Sequence, residues 1–321
     1  MNIDLLENIE LVHGAAEVYA SEEGFSFVRM TPEILDFYGQ SEATETRANC
    51  SSGVRICFNS NTSFIAMRLS YGRSTRPVYA VDIVLDDTEL LTFSPDNPGD
   101  GFSFTAELSA GGERRIEIHL PHLCESVLNE LIIEDGATLT PVTYPDHRII
   151  FIGDSITQGM TTTSPTHAYA TQLAKLLESD FHNISVGGAA MKQEIGEMAL
   201  GLEWNTAFVA YGVNDCAQSR SLEGFAADTV GMLRHLSERE NALIYLLTPI
   251  PWLVAPPVNA IGLTLADYRK TLCEVAADFK SVKVIDGLKL VPDKAAYFAD
   301  GCHPNDYGME IYATSLFKQL T

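Results

Sequence analysis

Hydrophobic and polar residues follow two patterns along this chain, and the pattern changes near residue 148. In the first part, short apolar segments are separated by turn-forming clusters such as Asn59-Ser60-Asn61, the segment 94–101 and Gly111-Gly112. Some segments alternate apolar with polar residues, as residues 115–120 do, which is typical of a strand with one face in solvent. The predicted strands are 54–58, 64–71, 79–85, 90–93, 102–108, 115–120 and 128–133. This succession, with no convincing long helix, predicts an all-β sandwich or jelly roll over residues 1–140.

From Arg148 onward, strand-like segments alternate with segments of helical spacing. Residues 148–152 form a short β-branched run that predicts a buried parallel strand. The remaining predicted elements are strands at 181–186, 207–211, 243–248 and 282–286, and helices at 168–179, 222–239, 263–279 and 306–320. This alternation predicts a parallel sheet covered by helices over residues 148–321. The preceding stretch carries Pro141 and Pro145 and few large apolar residues, so we predict a linker at 141–147.

Composition and charge limit the classes of partner that this chain is expected to bind. The formal net charge is −22, with 43 acidic and 21 basic residues, which argues against nucleic acid or an anionic membrane because phosphate binding needs clustered Lys and Arg. The first residues lack the basic and apolar segments of a secretory signal. The chain is therefore expected to be cytoplasmic, although a secreted chain trimmed of its signal would look the same. The six scattered cysteines suggest neither a disulfide scaffold nor a zinc site.

The segment Gly153-Asp154-Ser155-Ile156-Thr157 lies where the first parallel strand gives way to a helical segment. In an open α/β sheet, ligands bind at the carboxyl ends of the strands. A serine there presents its hydroxyl to a cleft and its backbone N–H to developing negative charge. The alternative is that Asp154, Ser155 and Thr157 only shape a turn or cap a helix.

Polar loops that follow the other predicted strands would reach the same edge of the sheet. Ser155 is a weak nucleophile that needs a base, and the near-neutral intrinsic pKa of histidine suits His303 to take and return a proton. Asp300 would hold the other ring nitrogen of His303. Asp286 and Asp306 remain alternatives for this orienting acid.

Hydrogen-bond donors for a tetrahedral intermediate are available in the same loops. We predict an oxyanion hole made by the N–H groups of Ser155 and Gly188 and the side-chain amide of Asn214, although Gly188 and Asn214 could both be turn residues. Asp215 is expected to cap the next helix or brace the loop. Trp252 either lines the cleft and binds substrate or packs beneath the loop that runs to Asn259.

These loops resemble the four sequence blocks of the GDSL, or SGNH, hydrolases. Gly153-Asp154-Ser155-Ile156-Thr157 resembles the first block, with Ile156 where many members have Leu. The segments that resemble the other three are Asn183-Ile184-Ser185-Val186-Gly187-Gly188, Gly212-Val213-Asn214-Asp215 and Asp300-Gly301-Cys302-His303-Pro304-Asn305. The resemblance covers residues 148–321 in the family's order. It implies a flavodoxin-like three-layer fold and a metal-free serine esterase mechanism.

The first half of the chain resembles other proteins more loosely. Family members that act on acetylated sugars, and some acyltransferases, carry a β-sandwich of this size before the catalytic domain, and Ser51-Ser52-Gly53-Val54-Arg55-Ile56 resembles a strand opening in such modules. This resemblance implies a carbohydrate or another small polar acyl ester as substrate.

Three functional hypotheses follow from these observations. The first is a serine esterase that hydrolyses short-chain, preferably acetyl, esters of a carbohydrate. The second is an acyltransferase with the same triad, and the third is a catalytically inactive carbohydrate-binding protein. No cofactor is expected. Asp300, His303 and Asp306 have a spacing that could suggest a metal site, but no further His or Cys accompanies them. His119 and His122 are expected at the surface, and the sequence gives no indication of the oligomeric state.

Overall fold

The structure is a computed structural model that describes residues 1–97, 99, 101–109 and 111–320. Pro98 and Asp100 of the predicted turn at 94–101, and Thr321 at the end of the predicted second domain, lie outside the described residues. In the part of the chain that is described, no helix has the length and apolar character needed to cross a membrane.

Two antiparallel sheets pack face to face in the first half. Their strands are β1 Val12–His13, β2 Glu17–Ser21, β3 Gly24–Val28, β4 Arg55–Ser60, β5 Phe64–Ser74, β6 Val81–Leu85, β7 Glu89–Phe93, β8 Gly101–Glu107, β9 Arg114–His119, β10 Cys124–Ile133 and β11 Thr140–Pro141. One sheet has the order β1-β4-β9-β6-β7, with β11 also paired to β4, and the other has the order β2-β3-β10-β5-β8. Inward side chains such as Ile56, Ile83, Ile118 and Leu128 form the core between them. The predicted β-sandwich is confirmed, and β1 to β3 are strands that the sequence pattern did not show.

Two short helices that the pattern also did not show interrupt the sandwich. They are α1 Pro32–Tyr38 and α2 Glu42–Asn49. Pro32 occupies the first turn of α1, and the side chain of Ser41 caps α2 by accepting from the Thr44 N–H. Ile34 and Ala48 are buried in the core of the second half, not in the sandwich. The first half of the chain therefore covers one face of the parallel sheet.

The second half is a five-stranded parallel sheet with helices on both faces. Its strands are β12 Arg148–Gly153, β13 Asp180–Asn183, β14 Thr206–Ala210, β15 Leu243–Leu247 and β16 Val282–Ile285. Its helices are α3 Ser155–Gln158, α4 Tyr169–Leu176, α5 Gln193–Met198, α6 Val213–Ala217, α7 Leu222–Leu236, α8 Leu265–Ala276 and α9 Asp306–Leu320. The strand order β13-β12-β14-β15-β16 is the flavodoxin-like order, so the predicted fold class is confirmed.

Alternation along the central strand β12 divides the core into two layers. Ile150 and Ile152 face a cluster that includes α5, α7 and α8, and Ile149 and Phe151 face a cluster that includes α4 and α9. Because all five strands are parallel, their carboxyl ends lie along one edge of the sheet. The loops that carry the candidate site residues leave from this edge.

Buried polar contacts join the two halves. Asp82 of β6 is fully buried and accepts hydrogen bonds from the Ser164 hydroxyl at 2.6 Å and the Thr166 N–H at 2.9 Å. The expectation that His119 and His122 lie at the surface is wrong, since they are only 4% and 2% exposed. His122 Nε2 lies 3.1 Å from the Gly159 carbonyl oxygen, across the interface between the two halves, which no local sequence pattern reveals.

Candidate active site

Ser155 is the first residue of α3, and one residue, Asp154, separates it from the end of β12. The carboxylate of Asp154 caps the helix by accepting the Ile156 N–H at 2.9 Å. A Cβ on Gly153 would lie 2.8 Å from the Ala210 carbonyl oxygen and 2.5 Å from Thr157 Oγ1, so this turn needs glycine for close packing. The sharp exit from the strand places the Ser155 hydroxyl 2.8 Å from Nε2 of His303.

His303 is held by the loop that precedes α9. The carboxylate of Asp300 accepts the N–H groups of Cys302 at 2.9 Å and His303 at 2.8 Å through Oδ1, and its Oδ2 lies 2.8 Å from Nδ1 of the imidazole. Burial alone would raise the pKa of Asp300, but the hydrogen bonds from His303 and Cys302 lower it below the ordinary value. An ionised carboxylate only accepts, so Nδ1 carries the ring proton and Nε2 is free to accept from Ser155.

The two alternatives for the orienting acid lie elsewhere. Asp286 caps a short 3-10 helix by accepting the Leu288 N–H. Asp306 accepts from the N–H and hydroxyl of Thr163, at 2.9 and 2.5 Å, and lies 3.3 Å from the ring of His167. Among the described residues, no group of three or more His, Cys, Asp or Glu side chains is placed to hold a metal ion.

The loop after β13 brings Gly188 beside α3. The Gln158 side chain of α3 accepts the Gly187 N–H at 2.8 Å, which ties this loop to the helix that begins with Ser155. Gly188 has φ +81°, a conformation that L side chains rarely adopt. Within the described part of the chain, the N–H groups of Ser155 and Gly188 have no hydrogen-bond partner, so both remain available to a ligand.

Asn214 completes the predicted set of donors from α6. Its side-chain Nδ2 donates to the Ala189 carbonyl oxygen at 3.0 Å, which leaves its second amide hydrogen for a ligand. The next residue, Asp215, is fully buried; it accepts the Met191 N–H at 3.2 Å and pairs with Arg220 at 2.6 Å. Asp215 therefore braces the loops that carry Gly188 and Asn214.

Two buried acids lie beneath the site. Burial raises the pKa of Asp154 to about 6, although the Ile156 N–H and the nearby His303 act in the opposite direction. Burial also raises the pKa of Asp215, and its ion pair with Arg220 opposes that rise. Burial of this kind favours the neutral carboxyl, and perturbed pKa values of this kind are common at functional sites.

Trp252 is half-buried and contacts both core clusters of the parallel sheet. The adjacent Leu253 N–H donates to the Gly301 carbonyl oxygen at 2.7 Å, so this loop supports the loop of His303. A role for Trp252 in substrate binding stays a prediction.

Sequence reasoning missed two arginines that reach the site from the first half of the chain. Arg47 of α2 donates to the Gly187 carbonyl oxygen at 2.9 Å, and its Nη1 is 2.9 Å from where a Cβ on Gly188 would lie. Arg29, only 1% exposed, donates to carbonyl oxygens on both sides of the interface. No motif marks either residue, because each acts through contacts that are distant in sequence.

The second half of the chain matches a known family at the level of its sequence. A family model for the GDSL-like lipase/acylhydrolase family matches residues 151–311. A comparison with curated protein sequences finds no significant match.

Solved structures share the whole architecture. The salicylyl-acyltransferase SsfX3 from a tetracycline biosynthetic pathway superposes with a TM-score of 0.81 at 22% identity, over 96% of this chain and 93% of that chain. A protein from Bacteroides ovatus described as a GDSL-like lipase superposes with a TM-score of 0.79 at 17% identity, over 97% of this chain and 94% of that chain. The acetyl xylan esterase Est2A from the rumen bacterium Butyrivibrio proteoclasticus superposes with a TM-score of 0.59 at 14% identity, over 84% of this chain and 89% of that chain. At these identities the likeness establishes the fold. Since the family model spans half of the sequence, this chain belongs to the GDSL-like lipase/acylhydrolase family.

Proposed function

We propose that this protein is a serine esterase that hydrolyses short-chain acyl esters, with acetyl as the preferred acyl group and a carbohydrate as the alcohol. One observation carries the proposal: His303 lies 2.8 Å from the Ser155 hydroxyl through Nε2 and 2.8 Å from Asp300 through Nδ1. A nucleophile, a base and an orienting acid are thereby joined in one hydrogen-bonded row within a hydrolase domain.

In the first half-reaction, the Ser155 oxygen attacks the ester carbonyl carbon while His303 Nε2 takes the hydroxyl proton. Asp300 stabilises the resulting imidazolium through Nδ1 without taking its proton. The carbonyl oxygen becomes negatively charged, and the free N–H groups of Ser155 and Gly188, with the amide of Asn214, donate to it. His303 then gives its proton to the departing alcohol oxygen, which leaves an acyl-enzyme on Ser155.

In the second half-reaction, water attacks the acyl-enzyme. His303 accepts a proton from the water, and the same three donors hold the new oxyanion. Collapse of the intermediate releases the carboxylic acid, and the proton returns from His303 to the Ser155 oxygen. The row of hydrogen bonds is restored with no net change in the enzyme.

The preference for an acetylated carbohydrate rests on the similarity to acetyl xylan esterase Est2A and on the β-sandwich that precedes the catalytic half. An acyltransferase is the second candidate, and the similarity to SsfX3 favours it, since that protein is a salicylyl-acyltransferase with the same two-part architecture. The same acyl-enzyme serves both reactions, and the acceptor decides between them.

Initial rates on p-nitrophenyl esters of increasing chain length, and on acetylated sugars, test the proposal. We expect the acetyl ester to react fastest, acetylated sugars to release acetate, and Ser155→Ala to remove both activities. Ser237→Ala, at an exposed position on the end of α7, is the matched control and should match the wild type. Full activity of Ser155→Ala would end the proposal, and a new ester formed with an added alcohol, seen by mass spectrometry, would favour the acyltransferase. A wild type that binds sugars without releasing acetate or p-nitrophenol would instead be the non-catalytic binding protein.

A further inference from the structure

Arg47 extends from α2 to the backbone of the loop that carries Gly188. Its Cδ is 3.2 Å from where a Cβ on Gly187 would lie, and its Nη1 is 2.9 Å from the same position on Gly188. The Arg47 carbonyl oxygen accepts from Arg29 at 2.9 Å and from Gln158 at 2.8 Å, so the end of α2 is fixed against the site. The guanidinium therefore lies beside one of the predicted oxyanion donors.

A second arginine, Arg76, lies in the loop of the sandwich that follows β5, where its Nη1 donates to the Thr75 carbonyl oxygen at 3.1 Å. The hydroxyl of the preceding Thr75 lies 3.7 Å from the Met160 sulfur, and that sulfur is 3.4 Å from the Cβ position of Gly187. Arg76 itself is exposed. Burial, followed by the nearby charge of Arg76, lowers the pKa of Arg47, as expected for two cations that share one region.

Neither of these arginines has an acidic partner, although acids outnumber bases 43 to 21 in this chain. Within the described residues, no carboxylate oxygen lies within 4.0 Å of either guanidinium. By contrast, Arg73, which also contacts α2, is paired with both Glu45 and Glu125. Arg47 uses Nη1 on the Gly187 carbonyl oxygen, and its other N–H groups are left to bind an anion from outside the chain.

We propose that Arg47, assisted by Arg76, binds an anionic group of the substrate, so that the preferred esters carry a carboxylate or phosphate near the scissile bond. This inference rests on the proposed esterase function and specifies its substrate class. A strongly acidic protein repels anions in general, so a local pair of cations is needed to bring an anionic ester to Ser155. Arg47 acts here as a specificity-determining residue, distinct from the oxyanion donors.

Two pairs of esters test this inference and locate the charge. In the first pair the acyl group differs: mono(4-nitrophenyl) glutarate carries a carboxylate, and its methyl ester is neutral. In the second pair the alcohol differs: 4-acetoxybenzoate carries the carboxylate, and methyl 4-acetoxybenzoate is neutral. We expect the wild type to favour the anionic member of at least one pair by about tenfold in kcat/KM, which corresponds to about 1.4 kcal/mol.

Variants then assign the preference to the arginines. Arg47→Gln should lower kcat/KM for the favoured anionic ester about tenfold more than for its neutral partner, chiefly through KM. Arg47→Lys should restore part of the preference because it keeps the charge. Arg76→Gln, on an exposed loop where folding is not at risk, should reduce the preference by a smaller factor. Arg234→Gln, exposed in the last turn of α7, changes the net charge equally and should leave all four rates unchanged.

The outcomes separate this inference from the proposed function. If the wild type hydrolyses neutral esters but favours the anionic member of neither pair, the esterase proposal is supported and the anion-binding inference is refuted. If Arg47→Gln slows both members of a pair equally, Arg47 supports the fold or the oxyanion and the inference is again overturned. If the wild type hydrolyses p-nitrophenyl acetate but none of the four esters, the inference is overturned and the esterase proposal is not. If it hydrolyses neither these esters nor p-nitrophenyl acetate and acetylated sugars, the proposed function itself fails.

Discussion

Replacing Arg29 should damage stability and catalysis together. Its buried guanidinium donates from Nε to the Cys50 carbonyl oxygen at 2.8 Å, and from Nη2 to those of Arg47 at 2.9 Å and Ser185 at 3.0 Å. Its Nη1 donates to the Asn183 carbonyl oxygen. Arg29 therefore connects the end of α2 to the segment that leads from β13 to the loop of Gly188.

The size of the effect follows from these contacts. In Arg29→Met, four carbonyl oxygens lose a charged donor, and each loss costs about 1.5 to 2 kcal/mol. Burial lowers the pKa of Arg29 from its ordinary value of 12.5 to about 10, which indicates that burying the charge costs about 3 kcal/mol, and the substitution recovers that cost. The balance is a loss of about 3 to 5 kcal/mol in the free energy of unfolding. Since the loop that carries the proposed oxyanion donor Gly188 also loses its support, we expect kcat to fall about tenfold or more.

Urea unfolding followed by tryptophan fluorescence measures the first effect, because both tryptophans, Trp204 and Trp252, belong to the parallel-sheet half. Arg29→Lys should give an intermediate loss, since an ammonium group has only three donors. Arg148→Met, an exposed arginine at the start of β12, is the matched control and should stay within about 0.5 kcal/mol of the wild type. An Arg29→Met protein that unfolds within about 1 kcal/mol of the wild type and keeps its kcat would refute this account.

Two further predictions concern other buried or hydrogen-bonded groups. In Asp300→Asn, one side-chain oxygen replaces the two that now accept from the backbone and from the imidazole. His303 should lose its orientation, and kcat should fall about 100-fold or more with little change in KM. Asp286→Asn is the control, and equal rates in both variants would show that Asp300 does not orient the base. Burial lowers the pKa of His122 to about 4. Between about pH 4 and pH 6.5, the unfolded chain therefore binds a proton that the folded protein excludes. Stability falls as the pH decreases through this range. Between pH 7 and pH 5, His122 should lower the free energy of unfolding by about 2 kcal/mol, and this part of the pH dependence should be absent in His122→Gln. A pH dependence that is the same in the variant and the wild type would contradict a buried neutral imidazole.

Local patterns predicted the framework of this protein because its strands and helices are regular. The alternation over residues 115–120 corresponds to β9, and the helix predicted at 306–320 has the bounds of α9. Ser155 was singled out because the buried strand predicted at 148–152 ends shortly before it, and the structure places that side chain beside His303. The fold class was therefore accessible from periodicity and from the four polar loops.

Long-range contacts account for what the sequence did not reveal. Arg47 and the Gly187 oxygen that it contacts are 140 residues apart, and Arg29 and the Asn183 oxygen are 154 residues apart. Helices α1 and α2 are short, and their buried residues pack against strands that occur more than 100 residues later in the chain. Periodicity shows which face of a segment is apolar, but it does not show which distant surface covers that face.

The reactivity of Ser155 toward a fluorophosphonate probe tests the central claim most directly, because only a serine activated by a base reacts rapidly with such a reagent. Peptide mapping by mass spectrometry should locate one equivalent of probe on Ser155 in the wild type, and His303→Gln should slow the modification about 100-fold or more. Labelling at another residue, or modification of Ser155 at the same rate in His303→Gln, would contradict the conclusion that the hydroxyl and the imidazole act as one catalytic unit.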